Sequence, residues 1–139
     1  MTADLNQANK RLVWNHWKAL ESVAEEDLHQ VMSDVVGTGL LFHGPDPIND
    51  LHGAEAFLNG YWRPLRHSLS GLRRRSHMFF GGVSSARADG LDDGRLWVCG
   101  TGHFDGVFER DWLGIPANGQ PVHIRWGECS EVVDGRIVE

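Results

Sequence analysis

The order of the sequence patterns in this chain predicts an α+β fold, in which three N-terminal helices pack on a mostly antiparallel β-sheet. Apolar residues recur at spacings of three and four up to about residue 69, whereas everything after Gly71 has the pattern of strands separated by turns. This order is typical of helices that cover one face of a sheet. With 139 residues, the chain is expected to form a single domain over residues 1–139 that buries its own core.

Three segments have the periodicity of amphipathic helices. The first covers residues 3–23, with apolar side chains at every third or fourth position. The second is "AEEDLHQVMSDVV", which begins with acidic residues suited to a helix N-terminus and ends at Gly37. The third covers residues 54–69, where Pro64 is expected to kink the helix or to remove one of its hydrogen bonds.

The remaining segments are predicted to be strands and turns. The apolar run "GLLFHG" enters a loop, "GPDPIND", whose prolines and side-chain acceptors exclude regular structure. Four strands follow Gly71, in "LRRRSHMFFGG", "RLWVCGTGHFDGVFE", "QPVHIRWGECSEVV" and "RIVE". The connections "DGLDDG", "PANG" and "VDG" carry the residues that tight turns require.

Charge and composition narrow the classes of partner. The formal net charge of −6 argues against a general nucleic-acid partner. The local run Arg73-Arg74-Arg75 is interpreted as a solvated strand edge. Because the N-terminus lacks a secretory signal and no apolar run approaches the length of a membrane span, we expect a cytoplasmic protein with no membrane partner. The thiols of Cys99 and Cys129 are then expected to be reduced.

One carboxylate stands out in the strand "VHIRWGECSEV". Its even positions are mainly apolar, yet Glu128 lies among them, close to Trp126. A carboxylate that loses hydration exchanges protons more readily near neutral pH, so Glu128 is a candidate general acid/base. The alternative is an acid at the mouth of the sheet, hydrogen-bonded to a backbone amide or to an arginine.

The C-terminal part of the chain resembles a known family. The stretch "WLGIPANGQPVHIRWGECSEVVDGRIVE" is similar to the "GIP-x-x-G-x-x-V … DG-x-I-V-E" signature of the SnoaL-like polyketide cyclases, in the nuclear transport factor 2-like (NTF2-like) superfamily. The stretch "HGPDPINDLHGAEAFLNGYWRPL" resembles the loop and third helix of some members.

The resemblance implies a cystatin-like cone, in which a curved sheet wraps around a long helix and encloses one apolar pocket. It also implies a homodimer formed through the outer face of the sheet. Family cyclases place an acid, usually Asp, on the strand after the GIP turn, where it is the general acid/base of an intramolecular aldol closure. Glu128 stands at the matching position, so this chain keeps the carboxylate and lengthens its side chain by one methylene.

Two histidines are further catalytic candidates. His16 lies four residues from two leucines of the first helix, so it is expected on the buried face, where it would polarise a carbonyl or relay a proton. A core histidine bonded to a backbone oxygen explains the same position. His103 alternates along one strand face with Asp105, a candidate proton pair, but simple alternation turns both outward unless a bulge intervenes.

The candidates for substrate binding are mainly aromatic, soft or polar side chains on elements expected to meet around the pocket. They are Trp17, His43, Tyr61, Trp62, Met78, Asp105 and Trp126. Most of the aromatic ones are equally explained as core residues, and Tyr61 and Trp126 are favoured as lining because each offers one polar atom. His43 lies where a strand enters the "GPDPIND" loop, so it is either a pocket lip or part of a turn.

No motif indicates a metal or another cofactor. The sequence contains no HExxH, no paired CxxC, no G-x-S-x-G elbow and no phosphate loop. An epoxide hydrolase of similar architecture would need an Asp–Arg–Asp set around one water, which the sequence does not assemble. The leading hypothesis is a cofactor-independent acid/base enzyme, cyclase-like or isomerase-like, acting on a small, largely apolar carbonyl or cyclic compound. The rival is a non-catalytic small-molecule-binding or assembly module.

Overall fold

The first two helices begin and end close to the predicted positions. In the computed structural model, which describes residues 1–85 and 93–139, helix α1 spans Ala3–Ser22. The Thr2 hydroxyl caps it by accepting a hydrogen bond from the Leu5 N–H at 3.1 Å. A short 3₁₀ turn, Glu25–Asp27, then leads into α2, Leu28–Val35.

The third helical segment is interrupted where Pro64 perturbs it. Helix α3 (Ala54–Phe57) continues through a π-helical turn (Leu58–Trp62) into α4 (Arg63–Ser68). A proline ring clashes with the carbonyl four residues before it and has no N–H to donate. The π-helical turn accommodates the proline, because the N–H of Arg63 donates to the carbonyl oxygen of Leu58, five residues earlier.

The second half of the chain forms a four-stranded antiparallel sheet, as predicted. Its strands are β3 (Leu69–Val83), β4 (Leu96–Phe108), β5 (Pro121–Val133) and β6 (Arg136–Ile137), adjacent in that order. The short strands β1 (Leu41–His43) and β2 (Asp50–His52) form a separate hairpin around the "GPDPIND" loop. The turn predicted at "DGLDDG" falls largely on residues 86–92, outside the described residues.

The register of the sheet determines which side chains face the helices. Strands β4 and β5 pair without a shift, so Gly100 lies opposite Glu128. Strand β3 shifts register twice against β4, between Ser70 and Arg73 and again between Ser76 and Met78. Each shift reverses which face the following residues occupy, because strand side chains alternate.

The core lies between α1, α2, the third helical segment and the inner face of the sheet. Its buried apolar residues come from all of these elements; among the most buried are Val13, Leu20, Leu28, Leu58, Trp62, Leu65, Val98 and Phe104. Trp17 joins the layers, since its ring packs edge-on against Phe79 and Trp126 at centroid distances of 5.4 and 5.2 Å. Among the described residues, no helix is long and apolar enough to cross a membrane.

The expectation of two reduced cysteines is wrong for this structure. Cys99 on β4 lies directly opposite Cys129 on β5, with the two Cα atoms 4.1 Å apart, and the two residues form a disulfide. The pairing depends on the register of two strands whose cysteines are 30 residues apart in sequence. A search for local cysteine motifs does not detect such a pair.

Candidate functional site

A cavity of about 490 Å³ opens between α1, the β1–β2 hairpin and the inner face of β5. Its wall is mostly apolar and aromatic, with residues such as Leu20, Met32, Phe42, Phe57, Ile124 and Trp126. The polar side chains on the wall include His16, His43, Tyr61 and Glu128. An apolar cavity with a few converging polar groups is the usual form of a small-molecule site.

Glu128 lies on the inner face of β5, as its even position in the alternating strand predicts. Its side chain is 25% exposed and lines the cavity. The indole Nε1 of Trp17 donates a hydrogen bond to Oε1 at 2.6 Å. The guanidinium of Arg74 donates two hydrogen bonds to Oε2, from NH1 and NH2, each at 3.2 Å. Glu128 is therefore held in place by α1 and by β3.

Arg74 is a residue beside the candidate site that the sequence analysis misinterpreted. Its side chain is 5% exposed, whereas those of Arg73 and Arg75 are 65% and 61% exposed, so only the two outer members of the arginine run are solvated. After the register shift near Gly71, Leu72 and Arg74 share the inner face of β3. The one signal in the sequence was the apolar residue two positions before Arg74.

The Arg74 guanidinium is enclosed by aromatic rings. It lies 4.3 Å from the ring centroid of Trp17, 4.6 Å from that of Trp126 and 5.0 Å from that of Phe104. Cation–π attraction partly replaces the hydration that a buried guanidinium loses. Arg74 and Glu128 thus form an ion pair inside the aromatic core, where the charge of each lowers the cost of burying the other.

His16 lies on the buried face of α1, as predicted, and is 6% exposed. Burial lowers the pKa of His16 from 6.5 to about 4, with the charge of Glu128 opposing the shift and that of Arg74 adding to it. The imidazole is therefore neutral near pH 7. Its Nδ1 is buried and has no hydrogen-bond partner among the described residues.

Of the aromatic candidates, the structure brings Tyr61 and Trp126 to the cavity wall. Burial, followed by the charge of Glu128, raises the pKa of Tyr61 above its ordinary value, so the phenol stays protonated. The indole Nε1 of Trp126 is buried without a partner in the described part of the chain, as is that of Trp112, a wall residue that the sequence analysis did not select. Both indoles therefore keep an N–H donor that has no acceptor among the described residues.

Trp17 and Trp62 are not cavity-lining residues. Trp17 is 2% exposed and acts on the site through its hydrogen bond to Glu128. Trp62 is fully buried, and its Nε1 donates to the Leu20 carbonyl oxygen at 2.9 Å. This places Trp62 in the core that supports the cavity.

His43 lies at the rim of the cavity, between two carboxylates. Its Nδ1 is 2.9 Å from Oδ1 of Asp50, and its Nε2 is 3.4 Å from Oε1 of Glu139. The hydrogen bond with Asp50 raises the pKa of His43 above its ordinary value, although burial opposes the shift. His43 is therefore more readily protonated than His16.

Met78, His103 and Asp105 do not face the cavity. The register shift places His77 as the extra residue of a bulge, so Met78 turns outward and is 57% exposed, while Phe79 turns inward. No shift occurs between β4 and β5, so alternation turns His103 and Asp105 to the outer face. There His103 Nε2 lies 3.1 Å from Oδ1 of Asp105.

The wall of the cavity combines the groups that acid/base chemistry requires. Glu128 is a carboxylate that can accept or return a proton, and His16 is a neutral imidazole with an unpartnered nitrogen. Arg74 and Trp17 fix the carboxylate without lining the cavity themselves.

The chain is similar to solved structures of one fold. A candidate SnoaL-like polyketide cyclase from Jannaschia sp. CCS1 superimposes with a TM-score of 0.71 and 16% identity, over 100% of this chain and 86% of that chain. A candidate polyketide cyclase from Streptomyces antibioticus gives a TM-score of 0.69 and 18% identity, over 94% of this chain and 87% of that chain. An epoxide hydrolase from M. tuberculosis, described as LEH-like, gives a TM-score of 0.60 and 18% identity, over 99% of this chain and 78% of that chain.

These likenesses define the fold of the protein. No family model matches the chain, and no curated protein is similar to it in sequence. The fold is NTF2-like, an α+β arrangement of helices on a mostly antiparallel sheet. The solved structures that share this fold include SnoaL-like polyketide cyclases, the family that the GIP-containing segment resembles.

Proposed function

We propose that this protein is a cofactor-independent acid/base enzyme acting on a small, largely apolar carbonyl or cyclic compound, in a cyclase-like or isomerase-like reaction. The observation that carries the proposal is the placement of Glu128 and a neutral His16 on the wall of one apolar cavity of about 490 Å³. Glu128 removes a proton from a carbon next to a carbonyl and later returns it. His16, which lines the same cavity, holds the carbonyl oxygen as its charge develops.

The surroundings of Glu128 support this role. Two charge-assisted hydrogen bonds from Arg74 and one from Trp17 fix the orientation of the carboxylate. A carboxylate has about four lone-pair sites, so these three hydrogen bonds leave one to accept a proton. The mostly apolar wall lowers the local polarity around Glu128, which strengthens electrostatic interactions within the cavity.

The test is catalysed exchange of the hydrogens next to a carbonyl. The wild-type protein is incubated in D₂O with a panel of aryl ketones and cyclic ketones, whose α-hydrogens exchange slowly without a catalyst, and exchange is followed by proton NMR. We expect the α-hydrogens of at least one ketone to exchange faster in the presence of the wild-type protein than in its absence. Glu128→Gln should lower that rate by about 100-fold or more, the usual contribution of a positioned acid or base.

The matched control is Glu109→Gln, which makes the same charge change at an exposed residue outside the cavity wall. It should leave the exchange rate unchanged. An exchange rate in Glu128→Gln equal to the wild-type rate would refute the role of Glu128.

A non-catalytic binding module is the second candidate, because one observation also suits it. Both oxygens of Glu128 are already hydrogen-bonded, as they would be in a purely structural ion pair. This candidate predicts that ketones bind, with chemical-shift changes at the indole N–H groups of Trp112 and Trp126, without any catalysed exchange. Epoxide hydrolysis is not proposed, since Arg74 contacts a single carboxylate in the described ranges.

We also propose that the protein is a homodimer formed through the outer face of the sheet. Met78 and Phe80 are 57% and 53% exposed there and stand two positions apart on the same face of β3, where a second copy of the chain can cover both. Sedimentation velocity should give a dimer for the wild type and a monomer for Phe80→Asp. A monomeric wild type at all concentrations would refute the proposal.

A further inference from the structure

The outer face of the sheet carries two histidines and an aspartate whose ligand atoms converge, and we propose that this group binds a divalent transition-metal ion, with Zn²⁺ as the best match. We call His103, Asp105 and His123 the outer-face cluster. None of its members lines the cavity, so the inference is independent of the proposed acid/base function.

The register of β4 and β5 brings the cluster together. His103 and Asp105 are two residues apart on β4 and share its outer face, and His123 is the register partner of Asp105 on β5. Both histidines point a ring nitrogen at the same oxygen. Nε2 of His103 and Nδ1 of His123 lie 3.1 and 2.5 Å from Oδ1 of Asp105. The three atoms lie within 4.8 Å of one another.

These separations are close to those of a metal site. Zinc–ligand bonds of about 2.0–2.2 Å in tetrahedral geometry put neighbouring ligand atoms about 3.3–3.6 Å apart. The backbones of two paired strands therefore already hold the three side chains at a suitable spacing. Small side-chain rotations would lengthen the 2.5 Å separation between His123 and Asp105 and shorten the longest separation in the cluster, which is at most 4.8 Å. The fourth position of a three-ligand site is taken by solvent or by another ligand.

The donor set favours zinc over calcium or magnesium. Two imidazoles with one carboxylate suit Zn²⁺ and its neighbours among the transition metals, whereas Ca²⁺ and Mg²⁺ prefer all-oxygen sites. Among the described residues, no other group of three His, Cys, Asp or Glu side chains has ligand atoms gathered in this way.

The surroundings also orient the carboxylate. Nε of Arg75 donates to Oδ2 of Asp105 at 3.2 Å, which leaves Oδ1 turned towards the two histidines. Hydrogen bonds of this kind to a ligating carboxylate are common around metal ions. The Arg75 side chain is 61% exposed, so solvent screens most of the repulsion between its charge and a bound cation.

A third imidazole lies beside the cluster. The ring of His77 packs edge-on against that of His103, with the centroids 4.8 Å apart. His77 is the extra residue of the β3 bulge, and its exposed side chain lies on the same outer face. The bulge thus brings a third imidazole to the side of the outer-face cluster.

The test is titration of the metal-free full-length protein with ZnCl₂ by isothermal calorimetry, with CoCl₂ as a spectroscopic probe. The wild type should bind one equivalent of Zn²⁺, and bound Co²⁺ should show the intense visible absorption of a tetrahedral or five-coordinate site. His103→Ala, Asp105→Asn and His123→Ala should each raise the Kd at least 10-fold, since even outer-shell changes cost 10- to 100-fold. His52→Ala, an exposed histidine on β2, is the matched control and should bind as the wild type does.

A second readout separates ligation from general surface binding. Long-range ¹⁵N–¹H spectra should show zinc bound through Nε2 in His103 and through Nδ1 in His123. Circular dichroism and sedimentation velocity on each variant verify that the fold and the oligomeric state are unchanged, and a variant that fails either measurement is replaced by its Gln or Asn counterpart. The proposal is overturned if the wild type binds no zinc, if all three cluster variants keep the wild-type Kd, or if His52→Ala weakens binding equally.

Discussion

Replacing Arg74 with methionine removes one partner of the buried ion pair and keeps most of the side-chain volume. Glu128 would then lose both hydrogen bonds to Oε2, and the aromatic rings around Arg74 would lose their cation. Breaking a buried pair on one side typically costs 3–5 kcal/mol. Because Glu128 remains 25% exposed, the cost should lie at the lower end of that range, and we expect a loss of about 3 kcal/mol in the free energy of unfolding.

The assay is urea unfolding followed by tryptophan fluorescence. With a denaturant slope near 2 kcal/mol per molar, a loss of about 3 kcal/mol lowers the midpoint by about 1.5 M. Arg73→Met is the matched control from the same arginine run. Arg73 is 65% exposed and pairs with Glu21 at 3.3 Å, so its replacement should cost less than about 1 kcal/mol.

The double variant Arg74→Met/Glu128→Gln isolates the ion pair. Removing the charge of Glu128 relieves the unpaired carboxylate, so the double variant should be more stable than Arg74→Met alone. The reasoning is refuted if Arg74→Met costs no more than Arg73→Met, or if Glu128→Gln makes Arg74→Met less stable still.

Three further predictions follow from burial, close approach and register. The free energy of unfolding should fall by up to about 3 kcal/mol as the pH falls from about 6.5 to about 4, because His16 takes up a proton in the unfolded chain but not in the folded protein. Urea unfolding of the wild type and of His16→Leu across this pH range measures the contribution of His16. Gly102→Ala should cost more than about 3 kcal/mol by thermal or urea unfolding, since its Cβ would lie 1.7 Å from the Arg75 carbonyl oxygen. Reduction of Cys99–Cys129 should release two titratable thiols and cost about 3 kcal/mol.

Each of these has a control or a contradicting result. For His16, the same pH dependence in His16→Leu would show that a different group is responsible. Gly127→Ala has nothing within 4 Å of its new Cβ, so it should unfold close to the wild type, and an equal loss in both glycine variants would contradict the close-approach argument. Free thiols in the oxidised, denatured protein would contradict the disulfide.

The local patterns of the sequence were sufficient for the element order and for part of the site. The helical spacing of residues 3–23 places His16 on the buried face, and the alternation of β5 places Glu128 inward. Both inferences hold because each depends on one regular element, whose side-chain directions follow from its own period. No register shift interrupts β5 against β4.

Two of the misassigned positions lie where a bulge breaks the period. Arg74 and Met78 both belong to β3, whose register shifts twice against β4. Alternation counted along the sequence does not predict side-chain direction there. Arg74, which was interpreted as solvated, is buried, and Met78, which was interpreted as pocket lining, is exposed. The glycine at position 71, with a φ of +67°, marks the first shift, but the second has no comparable signal.

By itself, the sequence determined the α+β class, the family resemblance and the inward carboxylate, because these depend on local periodicity and on contiguous motifs. Only the tertiary structure decided which groups meet across strands. Arg74 reaches Glu128 over 54 residues, Cys99 pairs with Cys129 over 30, and His123 joins Asp105 over 18. Such contacts depend on strand register, and register is set by the packing of the whole sheet against its helices.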